Sequence, residues 1–160
     1  MRPDFENKIC PPADLAARAL SLPKKLVFTN GVFDVLHRGH VTYLAEARAL
    51  GASLIVALNS DASVKRLGKG DDRPINILED RLAVIAALEC VSLVTWFKED
   101  TPLQRIIEAR PEVLVKGGDW AIDRIVGGAE VNSWGGSVHA IAFQHEGSTT
   151  AMLAKIRSAK

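Results

Sequence analysis

The residues best suited to chemistry lie in one short segment, which runs from Thr29 to His40. It holds two histidines three positions apart, His37 and His40, with Gly39 between them. Residues three apart lie on one side of a helix, so both imidazoles could donate hydrogen bonds to the same anion. Such donors stabilise the charge that develops in a transition state. The spacing therefore predicts a phosphate site.

The elements on either side of this segment favour the same interpretation. Residues 25–29 form a short apolar run that predicts a strand, and the apolar positions of 39–50 predict a helix. Where a strand leads into a helix, free backbone N–H groups and the helix dipole attract an anion. Gly31 is expected to let the chain turn and a phosphate approach, and Gly39 to leave room for a ligand.

Two other interpretations of the histidines stay open at this point. They could be surface residues at an ordinary polar helix start, or they could bind zinc. The combination of Gly31, Asp34 and Gly39 with the two histidines argues against the first. Asp34 is the one acidic residue nearby, which argues against the second. The protein ligands of any metal are unknown from the sequence.

The elements that must position this segment alternate along the chain. Further strands are predicted at 53–58, 91–97, 113–116 and 137–143, and helices at 61–67, 78–90, 101–109, 122–132 and 148–157. The alternation predicts a single-domain α/β, Rossmann-like fold with about five parallel strands and helices on both faces. Ligands of such sheets bind beyond the carboxyl ends of the strands. Residues 1–23 are predicted to form an N-terminal extension, and 24–160 the domain.

Composition limits the classes of partner. A formal net charge of +1 gives no strong overall field for nucleic acid or an anionic membrane, so neither is expected as a partner. No apolar run approaches the roughly 20 residues that cross a bilayer. The N-terminus lacks the apolar segment of a secretory signal. Two cysteines are too few for a disulfide framework, so we expect a cytoplasmic protein.

The spacing Gly31-x-Phe33-Asp34-x-x-His37-x-Gly39-His40 resembles the signature of the HxGH-motif nucleotidyltransferase superfamily. Five further segments are most similar to the D-glycero-D-manno-heptose 1-phosphate adenylyltransferases, in their stand-alone form: 59–61, 73–76, 99–102, 116–119 and 147–150. The resemblance implies transfer of AMP from ATP to the heptose phosphate. The products would be pyrophosphate and ADP-heptose for lipopolysaccharide core biosynthesis. It also implies Mg²⁺ accompanying ATP, and a homo-oligomer.

The resemblance further implies which residues do the chemistry. His37 and His40 would hold the triphosphate, and Lys69 matches a lysine that reaches the α-phosphate. Because Gly68 shifts the usual spacing, Lys65 and Arg66 stay open as alternatives. The implied nucleotide-binding residues are Thr29, Asn30, Gly31, Phe33, Gly39, Lys116, Gly118, Asp119, Ser148, Thr149 and Thr150. The implied substrate-binding residues are Asp34, Arg73 and Arg81, although Arg81 could instead be a surface partner of Glu79 or Asp80.

Three competing functions remain at the level of sequence. A glycerol-phosphate cytidylyltransferase or a GTP-using heptose enzyme would share the chemistry and differ in substrate. A nucleotide-binding regulatory module without turnover is the alternative from another class. Residues 144–147 lack the arginine that cytidylyltransferases usually carry there, which favours the heptose branch. Trp120, beside Asp119, is the one tryptophan for which stacking on a base stays open.

Overall fold

The fold was analysed in a computed structural model, which describes residues 1–145 and 148–159. Within this part of the chain, five strands form one parallel sheet in the order β3-β2-β1-β4-β5. Their bounds are β1 Leu26–Gly31, β2 Ser53–Asn59, β3 Leu93–Phe97, β4 Val113–Gly117 and β5 Ser137–Ile141. The predicted α/β class and parallel sheet are therefore confirmed.

Helices connect the strands and cover both faces of the sheet. Their bounds are α1 Leu15–Ser21, α2 Arg38–Ala49, α3 Asp61–Arg66, α4 Leu78–Ala86, α5 Leu103–Ala109, α6 Gly128–Ser133 and α7 Thr149–Ser158. Short 3₁₀ turns lie at Asp4–Lys8, Pro12–Asp14 and Ile122–Arg124. None of the helices in the described ranges is both long and apolar enough to span a bilayer.

Two predicted helices differ from the structure. The helix predicted at 122–132 is a 3₁₀ turn followed by α6, because Gly127 between them has φ of 84°, outside the helical region. The helix predicted at 78–90 ends as α4 at Ala86. Periodicity locates the apolar face of such a segment well but places its ends poorly, since apolar residues of the following turn continue the pattern.

The sheet separates two clusters of buried residues. Because neighbouring residues of a strand face opposite sides, Val27 of β1 joins one cluster, while Leu26 and Phe28 join the other. Leu44 of α2 and Ile85 of α4 pack in the first cluster. Residues of α1, α5 and α6 pack in the second. The first three strands lie side by side in the order β1, β2, β3, and β4 lies on the other side of β1. Such a reversal opens a crevice beyond the strand ends.

Residues 1–23, predicted as an extension, pack against the sheet. Leu15 and Ala19 lie one helical turn apart in α1, and both are buried in the second cluster. The backbone N–H of Cys10 donates to the carbonyl of Val94 in β3, over 2.8 Å. The side chain of Cys10 is itself fully buried. This segment therefore contributes to the core and covers the β3 edge of the sheet.

This packing predicts that the N-terminal segment contributes to stability. Leu15→Ala should lower the free energy of unfolding by about 2–5 kcal/mol, because it leaves a cavity in the core. Leu20→Ala is the matched control, since Leu20 lies in the same helix but is 79% exposed. Its effect should stay within about 0.5 kcal/mol. Urea denaturation of both variants makes the measurement, and equal effects would contradict the packing of α1.

Candidate active site

The turn between β1 and α2 brings the two histidines together. His37 is the N-cap of α2 and His40 lies in its first turn. Their ring centroids are 4.0 Å apart, with an angle of 36° between the planes, and both side chains are partly exposed. The spacing in the sequence predicts this pairing, and the structure has it. Two imidazoles side by side at a helix start form a site where an anion could be held.

Backbone hydrogen bonds select the tautomer of each ring. The N–H of Gly39 donates to Nδ1 of His37 over 3.1 Å, and the N–H of His37 donates to Nδ1 of His40 over 3.4 Å. An Nδ1 that accepts a hydrogen bond carries no proton, so in the neutral ring the proton lies on Nε2. Each imidazole therefore presents an Nε2–H donor, and the pair acts as a hydrogen-bonding fork for oxygen anions.

Burial makes His40 a neutral donor. Burial, and then the nearby charges of His37 and Lys69, lower the pKa of His40 from 6.5 to about 4. The rings of Phe33 and Phe143 contact it edge-on, with centroids 5.5 and 6.5 Å away. At neutral pH His40 can thus donate a hydrogen bond without carrying a charge of its own.

At Gly31 and Gly39, a side chain would collide with neighbouring rings of the protein itself. A Cβ at Gly31 would lie 2.8 Å from the ring of Phe33, and it is Phe33 that has the left-handed backbone, with φ of 49°. A Cβ at Gly39 would lie 2.9 Å from Cε1 of His37. The unusual backbone of the turn therefore lies at Phe33 and not at Gly31, while the approach of a phosphate at Gly31 and ligand space at Gly39 stay predictions. Both glycines make room for neighbouring rings of the protein.

Asp34 anchors the loop that follows α3. Its carboxylate accepts hydrogen bonds from Nε of Arg73 and from the backbone N–H groups of Ile75 and Asn76, each over 2.8 Å. Burial alone would raise the pKa of Asp34, but these hydrogen bonds outweigh it and leave the pKa below its ordinary value. Asp34 and Arg73 were predicted to bind substrate. In the structure the two side chains instead form a buried ion pair with each other.

Arg81 is also occupied by the protein. Its side chain is fully buried and donates to the carbonyls of Asn76 and Val32 and to the carboxylate of Asp61, over 2.7–3.0 Å. The geometry corrects both sequence interpretations of Arg81, since a buried guanidinium with three partners is neither a surface residue nor a free grip for phosphate. It joins the β1–α2 turn to α3 and α4.

A cavity of about 350 Å³ opens at the carboxyl ends of β1 to β4. Its polar and charged lining comes from strand ends and loops: Asn30, Asn59, Lys69, Asp100, Thr101, Lys116 and Arg124. Apolar residues form the rest of the wall: Val32, Leu67, Phe97, Pro102, Trp120, Ile125 and Val126. The position of the cavity at the reversal of strand order is where ligands of parallel sheets bind. Three of the lining side chains are cationic, and the carboxylate of Asp100 is paired with Arg66 at 2.7 Å. The cavity therefore suits an anionic ligand.

Lys69 connects this cavity with the histidines. It lines the cavity, and its charge lowers the pKa of both His40 and Lys116, although burial is the larger cause for each. Of the alternatives that the sequence leaves open, Arg66 donates to Asp100 and to the carbonyl of Lys98, and Lys65 is exposed on α3. The geometry favours Lys69 among the three.

The other predicted nucleotide contacts lie around the same edge of the sheet. Asn30 and Lys116 line the cavity, and Gly118 turns the chain there with φ of 106°. Asp119 is exposed beside it. The hydroxyl of Thr29, in contrast, is fully buried and hydrogen-bonded to Tyr43. The side chain of Thr29 is thus used inside the protein, and its contact with nucleotide stays a prediction.

The predicted contacts of the last helix lie across the turn from the cavity. Ser148 caps α7, because its hydroxyl accepts from the N–H of Ala151 over 3.0 Å, as the sequence predicts. Thr149 donates to the carbonyl of Val35 over 2.9 Å and so ties α7 to the histidine turn. Thr150 is exposed. Gly147, the first residue of this motif, lies outside the described residues. Contact of these hydroxyls with a nucleotide stays a prediction.

Among residues 1–145 and 148–159, no group of three or more His, Cys, Asp and Glu side chains is arranged to hold a metal ion. The acidic residue nearest the histidines in the sequence, Asp34, already accepts hydrogen bonds from Arg73, Ile75 and Asn76.

Comparison with known proteins agrees with this geometry. A model of the cytidylyltransferase-like family matches residues 28–158, which contain the histidine turn, the cavity and α7. The chain belongs to the cytidylyltransferase-like family of nucleotidyltransferases. Among curated relatives, the D-beta-D-heptose 1-phosphate adenylyltransferase of Bordetella bronchiseptica is 58% identical over 155 residues, or 96% of each chain. The bifunctional protein HldE of Hahella chejuensis is 55% identical over 135 residues, and the chain spans only 28% of its length.

Solved structures carry the same fold. The lipopolysaccharide core biosynthesis protein from Thermoplasma volcanium is 30% identical, with a TM-score of 0.62 over 76% of this chain and 98% of that one. The pantoate-beta-alanine ligase of Francisella tularensis is 14% identical, with a TM-score of 0.61 over 86% of this chain and 67% of that one. The second likeness concerns the fold alone.

Several cavity residues were absent from the predicted site. Asn59 ends β2 and Thr101 follows β3, so the rule that ligands bind at strand ends could have found both. Arg124 lies in a 3₁₀ turn. Trp120, for which the sequence left stacking on a base open, lies in the loop before it. No periodic pattern reveals which way such loop residues are placed.

The low pKa of His40 gives a prediction about pH. In an NMR titration of the free protein, the ring signals of His40 should change with a midpoint near pH 4. Because folding lowers this pKa from 6.5, the unfolded chain binds more protons here between about pH 6.5 and 4. The stability that His40 contributes is therefore complete above about pH 6.5 and is lost as the pH falls towards 4. A midpoint near 6.5 would contradict the burial of the ring.

Proposed function

We propose that this chain transfers AMP from ATP to D-glycero-D-manno-heptose 1-phosphate, giving ADP-heptose and pyrophosphate. The observation that carries the proposal is the pair of Nε2–H donors on His37 and His40, directly beside a cationic cavity. The choice of sugar rests on the Bordetella relative, whose name specifies the β form of the heptose phosphate and whose length the chain covers to 96%. Its product would serve lipopolysaccharide core assembly.

The geometry supports one arrangement of the two substrates. The triphosphate of ATP would lie on the histidine fork at the start of α2, where donors and helix dipole favour negative charge. The sugar phosphate would occupy the cavity, because Lys69, Lys116 and Arg124 match a phosphate better than a neutral adenosine. Lys69 lies between the two regions, where the acceptor phosphate would meet the α-phosphate of ATP.

The reaction would need alignment and charge neutralisation more than proton transfer. An oxygen of the sugar phosphate attacks the α-phosphorus and forms a new P–O bond, while the bond to the bridging oxygen of pyrophosphate breaks. A phosphate monoester is largely dianionic near pH 7, so the nucleophile requires no general base. His37 and His40 donate to oxygens that gain charge as pyrophosphate leaves, and Lys69 stabilises the α-phosphate.

Magnesium would arrive with the nucleotide as part of the substrate. Mg²⁺ normally binds phosphate oxygens of the substrate, keeps several waters and takes only one or two carboxylates from the protein. Because Asp34 is held by Arg73, the triphosphate and water would supply most of the ligands. Assembly into a homo-oligomer remains a prediction from the family resemblance.

An assay of pyrophosphate release tests the proposal. Wild-type protein should release pyrophosphate with ATP and heptose 1-phosphate, and much more slowly when CTP or GTP replaces ATP. Glycerol 3-phosphate tests the alternative acceptor. Preference for CTP with glycerol 3-phosphate would replace the proposal by a cytidylyltransferase. Tight ATP binding without turnover of any pair would indicate the regulatory module instead.

Loss of one imidazole donor should affect turnover strongly. His40→Ala is expected to lower kcat by about 10²-fold or more, as for other donors that stabilise charge in a transition state. The matched control is His139→Ala, since His139 lies in β5 and contacts Ser137. That variant should keep wild-type kcat. Unchanged turnover in His40→Ala would remove His40 from the mechanism.

A further inference from the structure

One aromatic residue of the cavity has no role in the chemistry described above. Trp120 lines the cavity and is half exposed, although most large aromatic side chains of the chain lie in the core. Trp134, by comparison, is partly buried and donates its indole N–H to the carbonyl of Pro111 over 2.8 Å. A half-exposed indole at the wall of this cavity offers apolar area that the protein itself does not cover.

The backbone and Lys116 hold this ring in place. The Nζ of Lys116 lies 5.6 Å from the centroid of the Trp120 ring, within the range of a cation–π contact. Gly118 has φ of 106°, a backbone conformation that favours glycine. A Cβ added there would lie 3.5 Å from Nε1 of Trp120, so the indole packs close to this turn. The N–H of Gly118 donates to Ile141 over 2.8 Å and fixes the turn to β5. The ring is therefore preorganised at the wall.

Polar groups of the same cavity complement a sugar. Asn59 and Thr101 can donate and accept hydrogen bonds, and Arg124 adds a planar donor. Sugar rings combine an apolar face of C–H groups with hydroxyls at the edge, so they fit a site with one aromatic wall and polar groups around it. Phosphorylated alcohols such as glycerol 3-phosphate lack that face.

We infer that Trp120 is the platform on which the sugar ring of the acceptor packs, and that it selects a sugar phosphate over a smaller phosphorylated alcohol. The inference rests on the proposed function for the identity of the acceptor. In this arrangement Lys116 contacts the indole and, beside Lys69, attracts the phosphate of the same acceptor. One side of the cavity thus recognises both parts of the molecule.

Steady-state kinetics of Trp120→Ala and Trp120→Phe test this role. Trp120→Ala should raise KM for heptose 1-phosphate by about 10-fold and leave KM for ATP within about twofold, the former being typical for the loss of one stacking contact. Trp120→Phe should restore most of the acceptor affinity, because it keeps an aromatic face. Trp134→Phe is the matched control and should change neither KM. If Trp120→Ala raises KM for ATP instead, the ring packs on adenine and the inference is wrong.

Fluorescence separates a failure of this inference from a failure of the proposed function. Heptose 1-phosphate, and mannose 1-phosphate as a second probe, should change the tryptophan emission of the wild type without ATP. The change should persist in Trp134→Phe and vanish in Trp120→Phe. This measurement needs binding only, so it tests the platform even if the assay finds no adenylyl transfer. An emission that neither sugar phosphate alters would overturn the inference.

Discussion

The buried ion pair between Asp34 and Arg73 is the contact on which the site depends. It joins the β1–α2 turn, which carries the histidines, to the loop after α3, which carries Lys69. A buried carboxylate is costly unless it is paired and fully hydrogen-bonded, and Asp34 meets both conditions through Arg73, Ile75 and Asn76. Lys69 itself is exposed, so its place near His40 follows from the anchoring of its loop. Asp34, which was expected to touch substrate, instead anchors the loop that carries Lys69.

This anchoring also sets the electrostatics of the site. Lys69 and Lys116 bring positive charge to the region where two phosphates must approach each other. Burial, with the nearby charges of His37 and Lys69, lowers the pKa of His40 to about 4, so at neutral pH its ring adds a hydrogen bond without adding charge. In the proposed reaction the histidines would hold the triphosphate through hydrogen bonds, while the lysines would supply the positive charge that offsets both phosphates. The two tasks are divided between different residue types.

Local sequence patterns predicted part of this arrangement and missed the rest for a physical reason. The pairing of His37 with His40 follows from helical spacing, and the parallel sheet follows from the alternation of elements. The burial of Arg81 and the anchoring role of Asp34 depend on partners more than 15 residues away, which no local pattern contains. The clash that makes glycine necessary at position 31 depends on the rare backbone of Phe33. Such features arise only when distant segments pack.

The division of the site between elements explains how one fold can serve different acceptors. The histidine fork lies in the β1–α2 turn, whereas most of the cavity wall comes from the ends of β2, β3 and β4 and the loops that follow them. Loops can change while a turn between two packed elements is kept, because the turn is constrained by its neighbours and the loops are not. We therefore expect residues of the cavity wall such as Trp120, and not the histidine motif, to determine which acceptor is used.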